Sequence, residues 1–311
     1  MHFAYPARKN SNPPPYLPRS TRWLKIRRRH LKPFAALALA VLGLIWLFSG
    51  GSKHKGGRVI SGKPAVVVVT VFDGKYDNSP YIKSIRENRS RYAEKHGYGT
   101  LLTSASDYDL KGSPASWSKV VAMRHAITKY PDCKYLWYLD QNAFIMNPYL
   151  KVEDFVMGST KLEDTMIKDF PVVPPDSIIK TFANLKGGDV ELVLTQDKEG
   201  LAAGSFVIRN GEWAKFFLDT WFDPLYRSYN FQKAEAHALE HIVQWHPTIL
   251  SKLAIVPQRT INAYAGDAHG EQYKDGDIAV LFPHCSGTGD KSCARVSERF
   301  SQQWRTSFSK A

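Results

Sequence analysis

The stretch YLWYLDQNAFIMNP, residues 135–148, decides how this chain is read. Five largely apolar residues, Tyr135 to Leu139, run straight into Asp140. Two amides follow, Gln141 and Asn142, and then a second apolar run from Ala143 to Met146. A short apolar and aromatic run of this kind reads as a buried strand, and this one stops on a carboxylate. The preceding sequence supplies the reason. AVVVVTVF, Ala65 to Phe72, is β-branched with no polar face, as a strand covered on both sides requires. SPYIKSIRENRSRYAEKHG places Tyr81, Ile82, Ile85 and Tyr92 at helical spacing and closes on Gly97, a helix with its C-cap. YGTLLTS is a second short strand. SPASWSKVVAMRHAITKYP sets Val120, Met123, Ile127 and Tyr130 on one helix face and ends at Pro131. The order β-α-β-α-β predicts an α/β fold with a mostly parallel, doubly wound sheet. Such sheets bind ligands beyond the carboxyl ends of their strands, which is where Asp140 falls.

Composition narrows the setting. The chain has 311 residues, 13% of them aromatic, enough for one large domain or two small ones. Its net charge is +13, but residues 1–58 hold 12 of the 42 basic residues and no acid, leaving 30 basic against 29 acidic residues beyond. A nearly neutral body excludes a nucleic-acid-binding domain, which would carry its own basic excess. The basic arm, residues 1–33, leads into FAALALAVLGLIWLF, Phe34 to Phe48, and then a polar, glycine-rich stem over residues 49–63. Cationic flank, apolar run and polar exit read as a signal anchor with the arm in the cytosol and residues 64–311 in the lumen. The run spans about 22 Å of helix against about 30 Å of hydrocarbon, and Trp23, Lys32 and Trp46 can bridge the difference. A cleaved signal peptide is the alternative.

Three cysteines are present. Cys285 and Cys293 enclose the short loop SGTGDKS and suit a bridge in an oxidising lumen, with Cys133 left over. The sequon Asn88-Arg89-Ser90 falls inside a predicted helix, so glycosylation there is not expected. Neither G-x-G-x-x-G nor G-x-x-x-x-G-K-[ST] occurs, which removes dinucleotide and P-loop readings. Trp213, Phe216, Phe217, Thr220 and Trp221 form a helical stripe that reads as core. His237 and His241 share a helix face near His246, but without H-E-x-x-H they are not read as a metal site.

An acid-x-acid-like triplet at the end of an apolar strand resembles the Asp-x-Asp site of GT-A fold glycosyltransferases. SIRENRSRYAEKHGY, SWSKVVAMRHAI, YLWYLDQNAFIMNP, GLAAGSFVIRN, HALEHIVQWHP and VPQRTINAY occur in that order. Together they resemble glycosyltransferase family 34, over about residues 64–295, and in particular the Golgi α-1,6-mannosyltransferase subunits of fungal mannan polymerase. The resemblance implies a GT-A fold, a retaining reaction and usually Mn²⁺. Asp140 matches the first acid of the triplet, and Asn142 stands where the second acid is common. Lys119 matches a lysine of the donor-side helix. Gly204, Ser205 and Phe206 match a G-S-F element near the sugar, with Ala202 in place of a frequent Asn. Glu235 matches an acid before the next helix, with Ala236 in place of a frequent Gln. DGDIAVLFPHC resembles the family's C-terminal stretch, but its metal-binding His aligns with Leu281, and His284 comes three residues later.

These matches imply Asp140 and Glu235 as catalytic residues. Thr70, Phe72, Lys119, Asp140, Gln141, Asn142, Gly204 and Ser205 are placed against the donor, and Asp140, Asn142 and His284 against the metal. The bland alternatives are a turn cap at Asp140, a solvated helix surface at Lys119 and an ordinary loop histidine at His284. The implied enzyme is a single-pass type II Golgi membrane protein. It transfers α-1,6-linked mannose from GDP-mannose to N-glycan mannan, beside other mannosyltransferase subunits. A non-catalytic scaffold subunit and a UDP-galactose-dependent galactosyltransferase are the two alternatives. The departures at Asn142, Ala202, Ala236 and Leu281 favour the scaffold.

Overall fold

The computed structural model describes residues 63–74, 78–173, 177–229, 231–285 and 289–311. The expected arm, anchor and stem, apart from Lys63, lie outside the described residues. Among the described residues no helix is long and apolar enough to cross a membrane.

Strand β1 (Val66–Phe72) is buried along its whole length, and the sheet is built outward from it. It pairs in parallel with β2 (Gly99–Ser104) on one side and β3 (Tyr135–Leu139) on the other. Parallel neighbours need a crossover, and helices supply it. α1 (Pro80–His96) joins β1 to β2, and α2 (Ser118–Lys129) joins β2 to β3. The Ser79 hydroxyl accepts from the Ile82 amide at the start of α1, Pro80 fills its first turn, and Gly97, at φ 69°, closes it.

The second half departs from the expected parallel winding. β5 (Leu192–Asp197) and β6 (Gly200–Arg209) form an antiparallel hairpin around Lys198 and Glu199. Gly200 turns the chain at φ 129°, a conformation open to glycine. β6 lies antiparallel beside β3, and β7 (Leu253–Val256) lies parallel to β5. The main sheet order is β2-β1-β3-β6-β5-β7, with β6 alone reversed. A two-residue loop cannot return a chain in parallel, so the hairpin makes the sheet mixed. A smaller sheet joins β4 (Ala143–Ile145), β9 (Ala279–Leu281) and β8 (Ala263–Tyr264) in the order β4-β9-β8.

Both faces of the main sheet are covered. Val67, Val69 and Leu136 meet Met123 of α2, Phe217 of α3 (Glu212–Trp221) and Ile242 of α4 (Glu235–Trp245). Val66, Val68 and Trp137 meet Tyr92 of α1 and Val152 and Leu162 on the other face. The buried face of α3 is Ala214, Phe217, Leu218 and Trp221, while Phe216 is 48% exposed. The expected stripe was therefore rotated by about one position. A third cluster sets Phe300 and Trp304 of the C-terminal helix α5 (Cys293–Ser309) against Phe144 and Phe282. Cys285 and Cys293 are bonded, which ties the start of α5 to the segment after β9, and Cys133 is a buried free thiol.

Candidate active site

The core holds a cation. Arg89 of α1 is fully buried. Its guanidinium donates to Thr70 Oγ1, Asn88 Oδ1, and the carbonyls of Asp140 and Ala143. Asn88 clamps β4 in turn: its Nδ2 donates to the Ile145 carbonyl at 2.8 Å, and its Oδ1 accepts the Ile145 amide at 2.8 Å. Thr70 Oγ1 donates to the Leu139 carbonyl at 2.7 Å. The end of β1, the end of β3 and the start of β4 thus converge on one side chain. Burial pulls the guanidinium's pKa down to about 9, and Tyr81 and Asp140 oppose that only in part. Asn88 is wholly buried, which agrees with the sequon being unused.

That arrangement fixes the triplet. The Asp140 amide donates to the Gly204 carbonyl at 2.8 Å. Its Oδ1 accepts from the Asn142 amide at 2.9 Å, the turn-capping contact that the bland reading foresaw. Among the described residues no hydrogen bond engages Oδ2. Gln141 Oε1 accepts the Asp73 amide at 3.0 Å, joining the triplet to the end of β1. Asn142 Oδ1 accepts from the Tyr81 hydroxyl at 3.1 Å. Its carbonyl accepts the Phe282 amide.

Asp140 and Gln141 line a cleft with Phe72, Asp73, Ser116, Lys119 and Tyr138. Lys119 is not a solvated surface lysine. Its Nζ lies 2.7 Å from Glu235 Oε1, with side-chain exposures of 11% and 6%, and 5.6 Å from the Tyr138 ring centroid. Burial works against the Lys119 charge, but Glu235 and Asp140 outweigh it and hold its pKa above the ordinary value. Burial likewise opposes the Glu235 charge, but Lys119 and Ser116 hold that pKa down. The pair is therefore ionic, with Glu235 anchoring Lys119 from within the fold.

Not every expected site residue meets in this cleft. Thr70 and Ser205 are fully buried. Thr70 is engaged with Leu139 and Arg89, and Ser205 Oγ accepts from Trp137 Nε1 at 2.9 Å. Gly204 faces the small sheet, where an added Cβ would meet Leu281 Cδ2 at 3.0 Å. Leu281 is 4% exposed, so the position aligned with the family's metal-binding histidine is apolar and packed. His284 stands elsewhere, with its ring against Glu199 and His269. Arg89, Asn88 and Tyr81 escaped sequence reasoning as site residues. The available signal was a buried-face Asn-Arg pair inside an amphipathic helix.

Asp140 Oδ2 offers an oxygen donor of the type hard divalent ions take, so it fits such an ion if a ligand's phosphate oxygens complete the shell; Asn142, whose Oδ1 accepts from the Tyr81 hydroxyl, is not among the residues that line the cleft. The sequence profile of the galactosyl transferase GMA12/MNN10 family matches residues 62–292. An uncharacterized alpha-1,2-galactosyltransferase of Schizosaccharomyces pombe is 32% identical over 245 residues, 76% of this chain and 74% of the relative. The probable alpha-1,6-mannosyltransferase MNN11 of Saccharomyces cerevisiae is 31% identical over 255 residues, 74% of this chain and 60% of the relative. Of two further S. pombe alpha-1,2-galactosyltransferases, the chain spans 60% and 57% of the length. A glycosyltransferase involved in glycosylation of the major capsid of PBCV-1 superposes with a TM-score of 0.53 at 11% identity, over 77% of this chain and 100% of that one. That likeness concerns the fold, a glycosyltransferase-like α/β arrangement with a mixed sheet.

Arg89→Met is expected to lower folding stability by at least about 3 kcal/mol, because it strips partners from several buried acceptors at once. Urea unfolding monitored by tryptophan fluorescence measures it. A loss below about 1 kcal/mol would show that the triplet is held by something else.

Proposed function

The chain belongs to the galactosyl transferase GMA12/MNN10 family, and from that premise we propose that it is a retaining hexosyltransferase of the Golgi. It adds α-1,6-linked mannose from GDP-mannose to the mannan of N-glycans, as one subunit among other mannosyltransferases. The observation that carries the reading is Asp140, set by the Arg89 bonds in a cleft it shares with the ion-paired Lys119. The cleft's interior is about 120 Å³, below the roughly 300–1,000 Å³ of a complete small-molecule site. It therefore suits the diphosphate end of a donor, with base and sugar extending outward. The N-terminal basic arm and apolar run support a type II membrane anchor with the catalytic domain in the lumen.

Glycosyltransferases of this fold commonly use a divalent metal, here proposed as Mn²⁺ held chiefly by Asp140 and the donor's diphosphate, with Asn142 two residues along the same turn. When bound, such an ion offsets negative charge on the departing diphosphate. The chain's own part is electrostatic. Lys119 presents a desolvated ammonium to the same anionic group, at a place where the field is stronger than in water. Glu235 positions that ammonium and holds its charge. With its carboxylate buried behind Lys119, Glu235 acts as a positioning residue and not as a group that touches the sugar. The sugar ring passes through an oxocarbenium-like state, so stabilising the leaving group is the contribution the cleft can make.

Two observations favour other readings. The similarity to alpha-1,2-galactosyltransferases favours UDP-galactose as the donor. The packed Leu281 beside Gly204 favours a scaffold subunit with a weakened metal site. Transfer and donor-hydrolysis assays of the full-length protein with GDP-mannose, UDP-galactose and UDP-xylose separate these readings. Mannose transfer is expected. Galactose transfer alone would reassign the donor, and no turnover with any of the three would favour the scaffold. Asp140→Ala is expected to reduce transfer at least about 100-fold with unchanged circular dichroism. Lys119→Met and Glu235→Gln should each raise KM for the donor, and the double variant should be no worse than the worse single one, because the two act as one unit. Additive losses would place Glu235 in an independent role.

A further inference from the structure

Glu199 sits in the β5–β6 turn, outside the lining of the Asp140 cleft. Two imidazoles from two other segments meet its carboxylate. His269 Nδ1 is 3.0 Å and His284 Nε2 is 3.1 Å from Glu199 Oε1. The rings lie with centroids 4.1 Å apart and planes tilted by 33°. We propose that Glu199, His269 and His284, none of which lines the Asp140 cleft, bind a borderline divalent transition ion of the zinc type.

Geometry is the first support. The three candidate ligand atoms lie within 4.8 Å of one another. Ligand atoms about 2.0–2.1 Å from a tetrahedral zinc sit about 3.3 Å apart, so little movement would admit an ion. Chemistry is the second. Two imidazoles and a carboxylate form a donor set suited to zinc, whereas Asp140 and Asn142 offer oxygen alone and suit harder ions. Without an ion, both rings would have to turn a protonated nitrogen toward the same oxygen.

Preorganisation is the third support. The Lys198 amide donates to the His269 carbonyl at 3.1 Å, and Lys198 Nζ donates to the Asp267 carbonyl at 2.7 Å. These bonds stitch the hairpin turn to the loop that carries His269. Lys233 Nζ donates to the Glu199 carbonyl at 2.7 Å and lies 3.5 Å from Oε2, leaving Oε1 to the rings. His284 is held at φ 57°, a left-handed conformation uncommon outside glycine. It sits between the end of β9 and the bonded Cys285. Such a conformation persists where the surroundings enforce it, and it recurs at ligand clamps. A bound ion would clasp the hairpin turn to the segment leading into α5, with a coordination position left for water.

The full-length protein, stripped with chelator and free of nucleotide, can be titrated with Zn²⁺ and separately with Co²⁺. One ion per chain and the visible absorption of a low-coordinate Co²⁺ site are expected. His269→Ala and His284→Ala should each weaken Zn²⁺ binding by at least about tenfold, and Asp140→Ala should leave it unchanged. The three side chains are 38–56% exposed, so their loss should leave the chelator-stripped melting curve unaltered. The wild-type Co²⁺ spectrum decides the matter even where a variant misfolds. No Co²⁺ absorption, or Zn²⁺ binding that ignores both histidines or disappears with Asp140→Ala, would overturn the site.

Discussion

A buried guanidinium organises this molecule. Arg89 carries its charge into a core that gives it four neutral acceptors, drawn from β1, from α1 itself and from the two ends of the Asp140 turn. An unpaired ion in that position would be strongly unfavourable. Four hydrogen bonds and the nearby Asp140 charge offset part of the loss of water, and burial still holds the guanidinium's pKa below its ordinary value. The arrangement also works in reverse. The carbonyls of Asp140 and Ala143 lie where the strand ladder breaks, and buried carbonyls need partners. Arg89 lets the chain leave the main sheet after Leu139, turn through three polar residues and enter the small sheet at Ala143. The position of Asp140 at the cleft is a consequence of that turn.

The same logic extends outward. Gln141 reaches the end of β1, Asn142 reaches α1 through Tyr81 and the small sheet through Phe282, and Asp140 is bonded to the backbone of β6. Lys119, which lines the same cleft, and Glu235 bring opposite charges from α2 and α4 into a buried pair. A buried pair of this kind contributes little net stability. Its value lies in holding an ammonium, desolvated and charged, next to a carboxylate-bearing turn. Oxygen donors sit at the triplet, while the imidazoles of His269 and His284 come from two other segments to meet Glu199 of the β5–β6 turn.

The sequence showed the first half of the sheet clearly, because β1 and β3 are uninterrupted apolar runs and α1 and α2 have clean periodicity and end signals. It showed Asp140 at a strand end for the same reason. The reversed strand was not legible: GLAAGSFVIRN is as apolar as a parallel strand, and direction depends on the two-residue turn before it. Arg89 was hidden because a charged residue in an amphipathic helix ordinarily faces water. The burial of Glu235 was hidden because its partner lies on another helix. His284 was legible as a candidate ligand, but its neighbours Glu199 and His269 are distant in sequence and are brought together only by the hairpin and the disulfide.

We propose that the Arg89-held turn presents Asp140 to a metal-bound nucleotide diphosphate. Isothermal titration of Mn²⁺ into the full-length protein, with and without GDP or UDP, tests it most directly when repeated on Asp140→Ala. The expected result is weak Mn²⁺ binding alone, tight binding with one of the nucleotides, and loss of the nucleotide-dependent part in the variant. Nucleotide-dependent Mn²⁺ binding that survives intact in Asp140→Ala would contradict the claim.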